Sequence, residues 1–307
     1  MKVLFVGRSD WANVSNRVAR AMNEVAGATV ARVLTERPHP FGYREDMVIS
    51  ERTHKDLLHF AAEVDWLIST GDGDYDFFRS VAYLLPLKAG ARLATCHVGS
   101  AYRKNCAAYN EMDKLFPVRF IGADLFRFAR GDSRAVPYFA PPEKVSGVFA
   151  SASDRPVIAH SPTNRTKKGT DAILAVLERF EDQATVDLIE GVPFAACAAR
   201  RENAQIFVDQ LSEIGGFGAS AVEAMAAGCA VVANISNVVP EVFEFFPKPP
   251  IAHVRTAEEM GDVIAALLRD PELLHERQRA SLAWAAECAS PRAVSSYWVR
   301  NLSTLQG

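Results

Sequence analysis

Short β-branched apolar runs alternate with helix-length amphipathic segments along almost the whole chain. KVLFVG (2–7) precedes a helix near Ser15–Ala26. ATVARVL (28–34) precedes a turn-rich loop, ERPHPFGYRED, and an amphipathic helix over 51–64. VDWLIST (64–70) leads into a helix over Phe77–Leu85, and ARLATCHVG (91–99) is followed by the shorter pieces VRFIGA, LFRFA and AVPYFA. Parallel strands need long return connections, usually helices, so this order predicts a mainly parallel sheet covered by crossover helices. The pattern lapses over Ala140–Arg155, APPEKVSGVFASASDR, which is rich in Pro and Ser and carries little periodicity; this is the expected domain boundary. Alternation then restarts: PVIAHSPT, a helix from Gly169 to Phe180, ATVDLIEG, a helix near Phe194–Glu202, AQIFVDQL, a helix over Ala219–Ala227, CAVVANI, a short helix from Pro240, and IAHV. The end, Thr256–Leu305, reads as helix broken near Asp270–Pro271 and Ser290–Pro291. The expectation is an α/β protein of two similar units with a helical tail.

In open parallel sheets ligands sit beyond the carboxyl ends of the strands, so the loops at 7–14, 70–76 and 97–103 are expected to line one cleft. The first strand runs into VGRSDW and not GxGxxG, which argues against hydride transfer from a dinucleotide. A formal net charge of −3 removes any overall basic field for nucleic acid. No apolar run reaches the length of a membrane span, and MKVLFVG reads as a strand and not a signal peptide. The five cysteines are scattered without a CxxC pair, which points to reduced thiols, to the cytoplasm, and away from structural zinc.

Two stretches carry chemistry. In Gly215–Glu223, GGFGASAVE, glycines stand before a helix N-terminus, where free amides and the positive dipole end favour phosphate. Between Ile214 and Pro240 the only charged side chain is Glu223, costly to bury unless it holds a polar partner such as ribose hydroxyls. A plain strand–helix connection with an exposed Glu is the alternative. The second stretch, HSPTNRTKKGT, places Arg165, Lys167 and Lys168 in a loop at a strand's carboxyl end, either as a solvated basic loop or as a grip on pyrophosphate.

HSPTNR..KGT, FVDQL, GGFGASAVEAMAAGCAVVA and VVPEV together resemble the donor half of GT-B glycosyltransferases, in particular the large retaining group that includes lipopolysaccharide and mannosyl transferases. The resemblance covers about 155–245. It implies two Rossmann-like lobes: an acceptor-side domain at 1–145, a nucleotide-sugar domain at 146–290, and a helix at 291–307, SPRAVSSYWVRNL, returning to the first. It implies transfer of a sugar from an NDP-sugar to an acceptor hydroxyl, with retention and without a metal. By position, Arg165 and Lys168 match the pyrophosphate-binding pair, and Gly216, Phe217 and Gly218 the donor loop. Glu223 matches the second, ribose-holding Glu of the E-x7-E motif. His97 matches the acceptor-side catalytic His, and Arg103 of HVGSAYR is placed to hold acceptor phosphate or carboxylate. The first motif Glu falls at position 215, where this chain has Gly.

That Gly keeps two alternatives open, a GT-B-fold nucleotide-sugar epimerase and a catalytically weakened nucleotide-sugar binder. The triplet Asp72–Gly73–Asp74 has the form of a metal-binding DxD of GT-A transferases, but the second half already supplies cations for a diphosphate; as a calcium loop it fails, with Phe at 77 where Gly is needed and Tyr at 83 where Glu is needed. Asp72 and Asp74 are therefore read as acceptor-side or helix-capping groups. Donor base and sugar, the acceptor (glycan, lipid-linked sugar, small molecule or modified nucleic acid) and the oligomeric state are not encoded in any of these motifs.

Overall fold

The computed structural model describes residues 1–49, 54–71, 75–136, 138–139 and 155–304. The chain separates into two compact units, Met1–Pro137 with Pro291–Gly307, and Tyr138–Ser290. Most of the stretch read as a boundary, 140–154, lies outside the described residues, as do Asp72, Asp74 and the first three residues of the helix expected over 51–64.

The first unit runs β1 (Val3–Gly7), α1 (Val14–Ala26), β2 (Ala31–Thr35), β3 (Met47–Val48), α2 (His54–Ala61), β4 (Trp66–Gly71), α3 (Tyr75–Leu84), β5 (Arg92–His97), α4 (Ser100–Lys104), α5 (Cys106–Met112), β6 (Val118–Gly122) and β7 (Arg134–Val136). Among the described residues these strands form one sheet in the order β3-β2-β1-β4-β5-β6-β7, every pairing parallel. The short strand β3 and the helices α4 and α5 are additions to the sequence reading, which placed 97–103 in a loop. Helix α1 buries Val14, Val18, Ala21 and Met22 on one face. Its start is fixed by the buried Asp10, whose carboxylate accepts from the Ser15 amide at 2.9 Å and the Asn16 amide at 2.8 Å. Burial raises the Asp10 pKa, and those hydrogen bonds oppose the rise.

The second unit runs β8 (Val157–His160), α6 (Arg165–Lys168), α7 (Thr170–Leu177), β9 (Thr185–Leu188), α8 (Phe194–Glu202), β10 (Ile206–Gln210), α9 (Ala219–Ala226), β11 (Ala230–Ala233), β12 (Ala252–His253), α10 (Ala257–Arg269) and α11 (Pro271–Cys288). Its described strands make a parallel sheet in the order β12-β11-β10-β8-β9. The central strands are fully buried and, apart from Asp209 and Gln210 at the end of β10, apolar, as a sheet covered on both faces requires. Ile158, Ile206, Val208, Val232, Ile264 and Leu267 belong to its core, and Cys229 is fully buried. Asp270 makes the break before α11: its carboxylate accepts from the Glu272 and Leu273 amides, and Pro271 occupies the first turn.

Helix α12 (Pro291–Ser303) belongs to the first unit and packs on α1. Trp298 is 0% exposed; its ring lies 4.2 Å from that of Phe120 and 5.4 Å from that of Phe5. The Tyr297 hydroxyl donates to the Ala135 carbonyl, and Arg134 Nε donates to Asn301 Oδ1 at 3.1 Å. No described helix is long and apolar enough to cross a membrane.

Trp298→Ala should therefore remove about 3–5 kcal/mol from the stability of the first unit, the usual cost of deleting a buried large aromatic. Urea denaturation measures it, and a loss below about 1 kcal/mol would show that the helix is not part of that core.

Candidate functional site

The sequence-selected stretches of the second half meet at the carboxyl edge of the five-stranded sheet, where β8 and β10 are neighbours. Arg165, Lys167 and Lys168 lie on a single helical turn and not in the open loop expected for them. Asn164 caps that turn by accepting from the Lys167 amide at 2.9 Å, and Gly169, at φ +71°, ends it. The turn is strapped to the exit of β10: the Leu211 amide donates to the Lys168 carbonyl at 2.9 Å, and Ser212 Oγ to the Lys167 carbonyl at 2.6 Å. Beneath it His160 is fully buried, its Nδ1 2.7 Å from the Val208 carbonyl and its Nε2 2.9 Å from Thr170 Oγ1. The carbonyl can only accept, so Nδ1 carries the proton and Nε2 accepts from Thr170. Burial lowers the pKa of this ring, which favours the neutral form. His160 is thus structural, packed at the base of the basic turn.

The third strap is ionic. Lys168 Nζ lies 2.6 Å from Asp209 Oδ1, and the same oxygen accepts from Ser220 Oγ at 2.7 Å; Lys168 Nζ and Ser220 Oγ are 3.4 Å apart. Ser220 stands in the first turn of α9, so this triad ties the basic turn to the helix that follows the glycine loop. Asp209 is 2% exposed and sits where the β10–β11 register slips between Val208 and Gln210. Such a bulge re-aims a side chain at a sheet's rim. Its Oδ2 is buried without a hydrogen-bond partner among the described residues. Sequence reasoning quoted FVDQL but drew nothing from Asp209 or Ser220; the signal was an acid inside an apolar strand.

The glycine loop explains the missing motif acid. Gly215 has φ +57°, and a Cβ there would lie 2.6 Å from Asn237 Nδ2 and 2.9 Å from Asn237 Cγ. Asn237 holds the loop closed, donating to the Glu213 and Ile214 carbonyls at 2.7 and 3.1 Å, while its amide donates to the Gly215 carbonyl at 2.7 Å. A glutamate cannot take this position without moving Asn237. Glu213, the nearest acid, is exposed. Gly216 is fixed through its carbonyl by Gln210 Nε2 at 2.8 Å, and Gly218 is the N-cap of α9. Phe217 needs correction as a ligand contact through its ring: the ring is buried, edge-on to Phe246 with centroids 6.5 Å apart.

Glu223 is 8% exposed and its Oε2 is paired with Nη1 of Arg201. Arg201, itself 4% exposed, also reaches Cys197 Sγ at 3.2 Å and Ser161 Oγ at 3.4 Å, and lies over the Phe207 ring. Burial opposes its charge, but the Glu223 carboxylate outweighs that and the Arg201 pKa is raised. The polar partner demanded by the sequence is therefore present within the protein itself. Arg165, half-exposed, is held by Glu190 through Nε at 2.9 Å and Nη2 at 2.7 Å, and by Asp171 at 3.4 Å.

In the first unit His97 ends β5 as expected, but its ring is not presented to solvent. The residue is 1% exposed, and Nε2 lies 2.9 and 3.0 Å from the two oxygens of Asp113 and 3.2 Å from both Tyr75 OH and Thr95 Oγ1. The Tyr102 ring stacks on it at 4.6 Å. The imidazole is therefore enclosed by Asp113, Tyr75, Thr95 and Tyr102 within this unit. Tyr75 also donates to Asp113, and burial together with that carboxylate drives the phenol pKa upward. Arg103 lies on α4 with Nη2 2.7 Å from Asp124 Oδ2, a partner the sequence did not indicate.

Residues 183–283 match the family model "Glycosyl transferases group 1". No protein of curated function matches the chain. Among solved structures the chain is similar to HepE of Anabaena, in complex with UDP and glucose: 12% identity, 99% of this chain and 100% of that one covered, TM-score 0.66. Sucrose-phosphate synthase of Thermosynechococcus elongatus aligns with 12% identity over 99% of each chain, at TM-score 0.67. UDP-GlcNAc 2-epimerase of Neisseria meningitidis, bound to UDP-GlcNAc, aligns at 12% identity over 98% of this chain and 100% of that one, with TM-score 0.52. At these identities the likeness establishes the fold: the protein has the two-unit GT-B architecture that its motifs resemble, and its second unit carries the glycosyl transferases group 1 segment.

Two substitutions test this geometry. Arg201→Ala leaves the Glu223 carboxylate buried without its counter-ion and should cost about 3–5 kcal/mol in denaturant unfolding; a loss within experimental error would show that the pair is not buried in solution. Gly215→Ala should cost more than about 1 kcal/mol, because alanine is strained at this φ and meets Asn237. Pairing it with Asn237→Gly should recover part of that loss.

Proposed function

We propose that the protein is a glycosyltransferase that moves a sugar from a nucleoside-diphosphate sugar to an acceptor hydroxyl, with retention and without a metal. One observation carries this reading. Asp209 ties Lys168 of the basic turn to Ser220 in the first turn of α9, so a fixed ammonium and a glycine-flanked helix N-terminus share one edge of the sheet. Departure of a nucleoside diphosphate builds negative charge on the leaving phosphate and positive charge on the sugar. Lys168, Arg165 and the amides of the Gly216–Gly218 loop are the groups suited to the first charge, and they accelerate transfer to the extent that they bind the transition state better than the donor. Glu223, oriented by Arg201, accepts from the ribose hydroxyls. His97 sets the end of β5 from within, and Arg103 with Asp124 offers a polar group to the acceptor. The group 1 segment over 183–283 and the likeness to HepE, which has also been captured with UDP-glucose, support a nucleotide-sugar donor.

A second reading, epimerisation of the bound nucleotide sugar, is favoured by Gly215 standing where the motif acid is expected and by the UDP-GlcNAc 2-epimerase neighbour. Product analysis separates the two. A transferase releases nucleotide in proportion to acceptor, whereas an epimerase changes the sugar and gives no acceptor-dependent product.

Lys168→Ala should lower turnover at least about 10²-fold, the usual loss on removing a preorganised charge partner of the transition state. Nucleotide release across a panel of NDP-sugars and acceptors measures it, and equal turnover in wild type and variant would remove the assignment.

A further inference from the structure

The grouping of charge at this sheet edge goes further than the reading above, on which it rests. A loop that only needed to attract diphosphate would keep its cations free. Here three cations of this edge are matched: Lys168 by Asp209, Arg201 by Glu223, and Arg165 by Glu190 and Asp171. The Lys168 partner stands apart because Asp209 is buried, is carried on a bulge, and holds Lys168 and Ser220 with one oxygen while the other has no hydrogen-bond partner among the described residues. Mere anchoring of a lysine needs only an acceptor; a carbonyl or amide oxygen would serve. A full buried carboxylate also cancels the ammonium's charge at short range, where the low dielectric makes the cancellation effective.

We propose that Asp209 sets the charge of a diphosphate subsite so that it prefers the doubly charged diphosphate ester of a sugar donor to the triply charged free nucleoside diphosphate. The chemistry of the two ligands differs in this respect. In the sugar ester both phosphates are diesters with one charge each. The free diphosphate ends in a monoester whose last proton leaves near pH ~6, adding a third charge. A subsite with surplus positive charge would hold the product more tightly than the donor; a compensated one lets it go. Lys168 then acts by directed hydrogen bonding, with Asp209 and Ser220 fixing its position. Among the described residues His160 from β8 also interacts electrostatically with Asp209, and its influence is common to both ligands.

The test is a set of calorimetric affinities for UDP and UDP-glucose at pH 5.5 and pH 8, for wild type, Asp209→Asn and Ser220→Ala. In wild type the ratio of the UDP to the UDP-glucose dissociation constant should rise between the two pH values. Asp209→Asn should lower that ratio about tenfold at pH 8, the order expected for one unit charge in partly solvated surroundings, and change it little at pH 5.5. Displacement of Lys168 removes positive charge and would weaken UDP more than UDP-glucose, moving the ratio upward, so a purely structural role gives the opposite result. Ser220→Ala retains the carboxylate and should leave the ratio as in wild type. An unchanged ratio in Asp209→Asn overturns the proposal, as does a wild-type ratio that falls with rising pH; the second result needs no variant to fold. If wild type binds neither these ligands nor their guanosine counterparts, the donor reading itself fails and the proposal with it.

Discussion

The contact between Lys168 and Asp209 is the constraint on which the second unit's functional edge depends. A carboxylate on the central strand β10 would be expensive to bury alone. The ammonium of the α6 turn and the hydroxyl in the first turn of α9 offset that cost, and in doing so they fix where both elements sit. Backbone straps from Leu211 and Ser212 add direction, so the basic turn is held by main-chain and side-chain bonds together. The result is a site assembled from residues 41 and 11 positions from Asp209 in sequence, each held by the same acidic oxygen.

Much of the fold is legible in the chain because parallel sheets are written in a periodic code. Apolar runs of strand length gave β1, β4, β5, β8, β10 and β11 close to their observed bounds, and Pro271 and Pro291 marked the breaks in the terminal helices. The chemistry was legible only in kind. An isolated Glu223 announced a partner, but that the partner is Arg201 follows from α8 and α9 lying together, which no local pattern records. Phe217 looked like part of a ligand loop because it lies between glycines, yet tertiary packing against Phe246 claims its ring. The α6 turn was hidden because four residues are too few for helical periodicity; its Asn164 cap and Gly169 stop were the readable signs.

The first unit organises its polar interior differently. Its network joins His97, Asp113, Tyr75 and Thr95 around one imidazole nitrogen, with Tyr102 stacked on the ring. Buried polar groups that satisfy one another rigidify the structure around them. The carboxyl end of β5 is therefore a stiff platform, and the Gly99 backbone, at φ +94°, turns the chain from it into α4. In the second unit, by contrast, the polar contacts gather at the rim around cations.

The route of the chain has a consequence for biosynthesis. The first unit is interrupted at Pro137 and resumes at Pro291, with Trp298 filling the space between Phe5 and Phe120. Domains ordinarily fold as units in the order in which they leave the ribosome. Here β1 must wait for α12 before its core can close, while the inserted unit is already complete. Vectorial synthesis thus reverses the usual order, and the aromatic socket between Phe5 and Phe120 stays empty until Trp298 has been made.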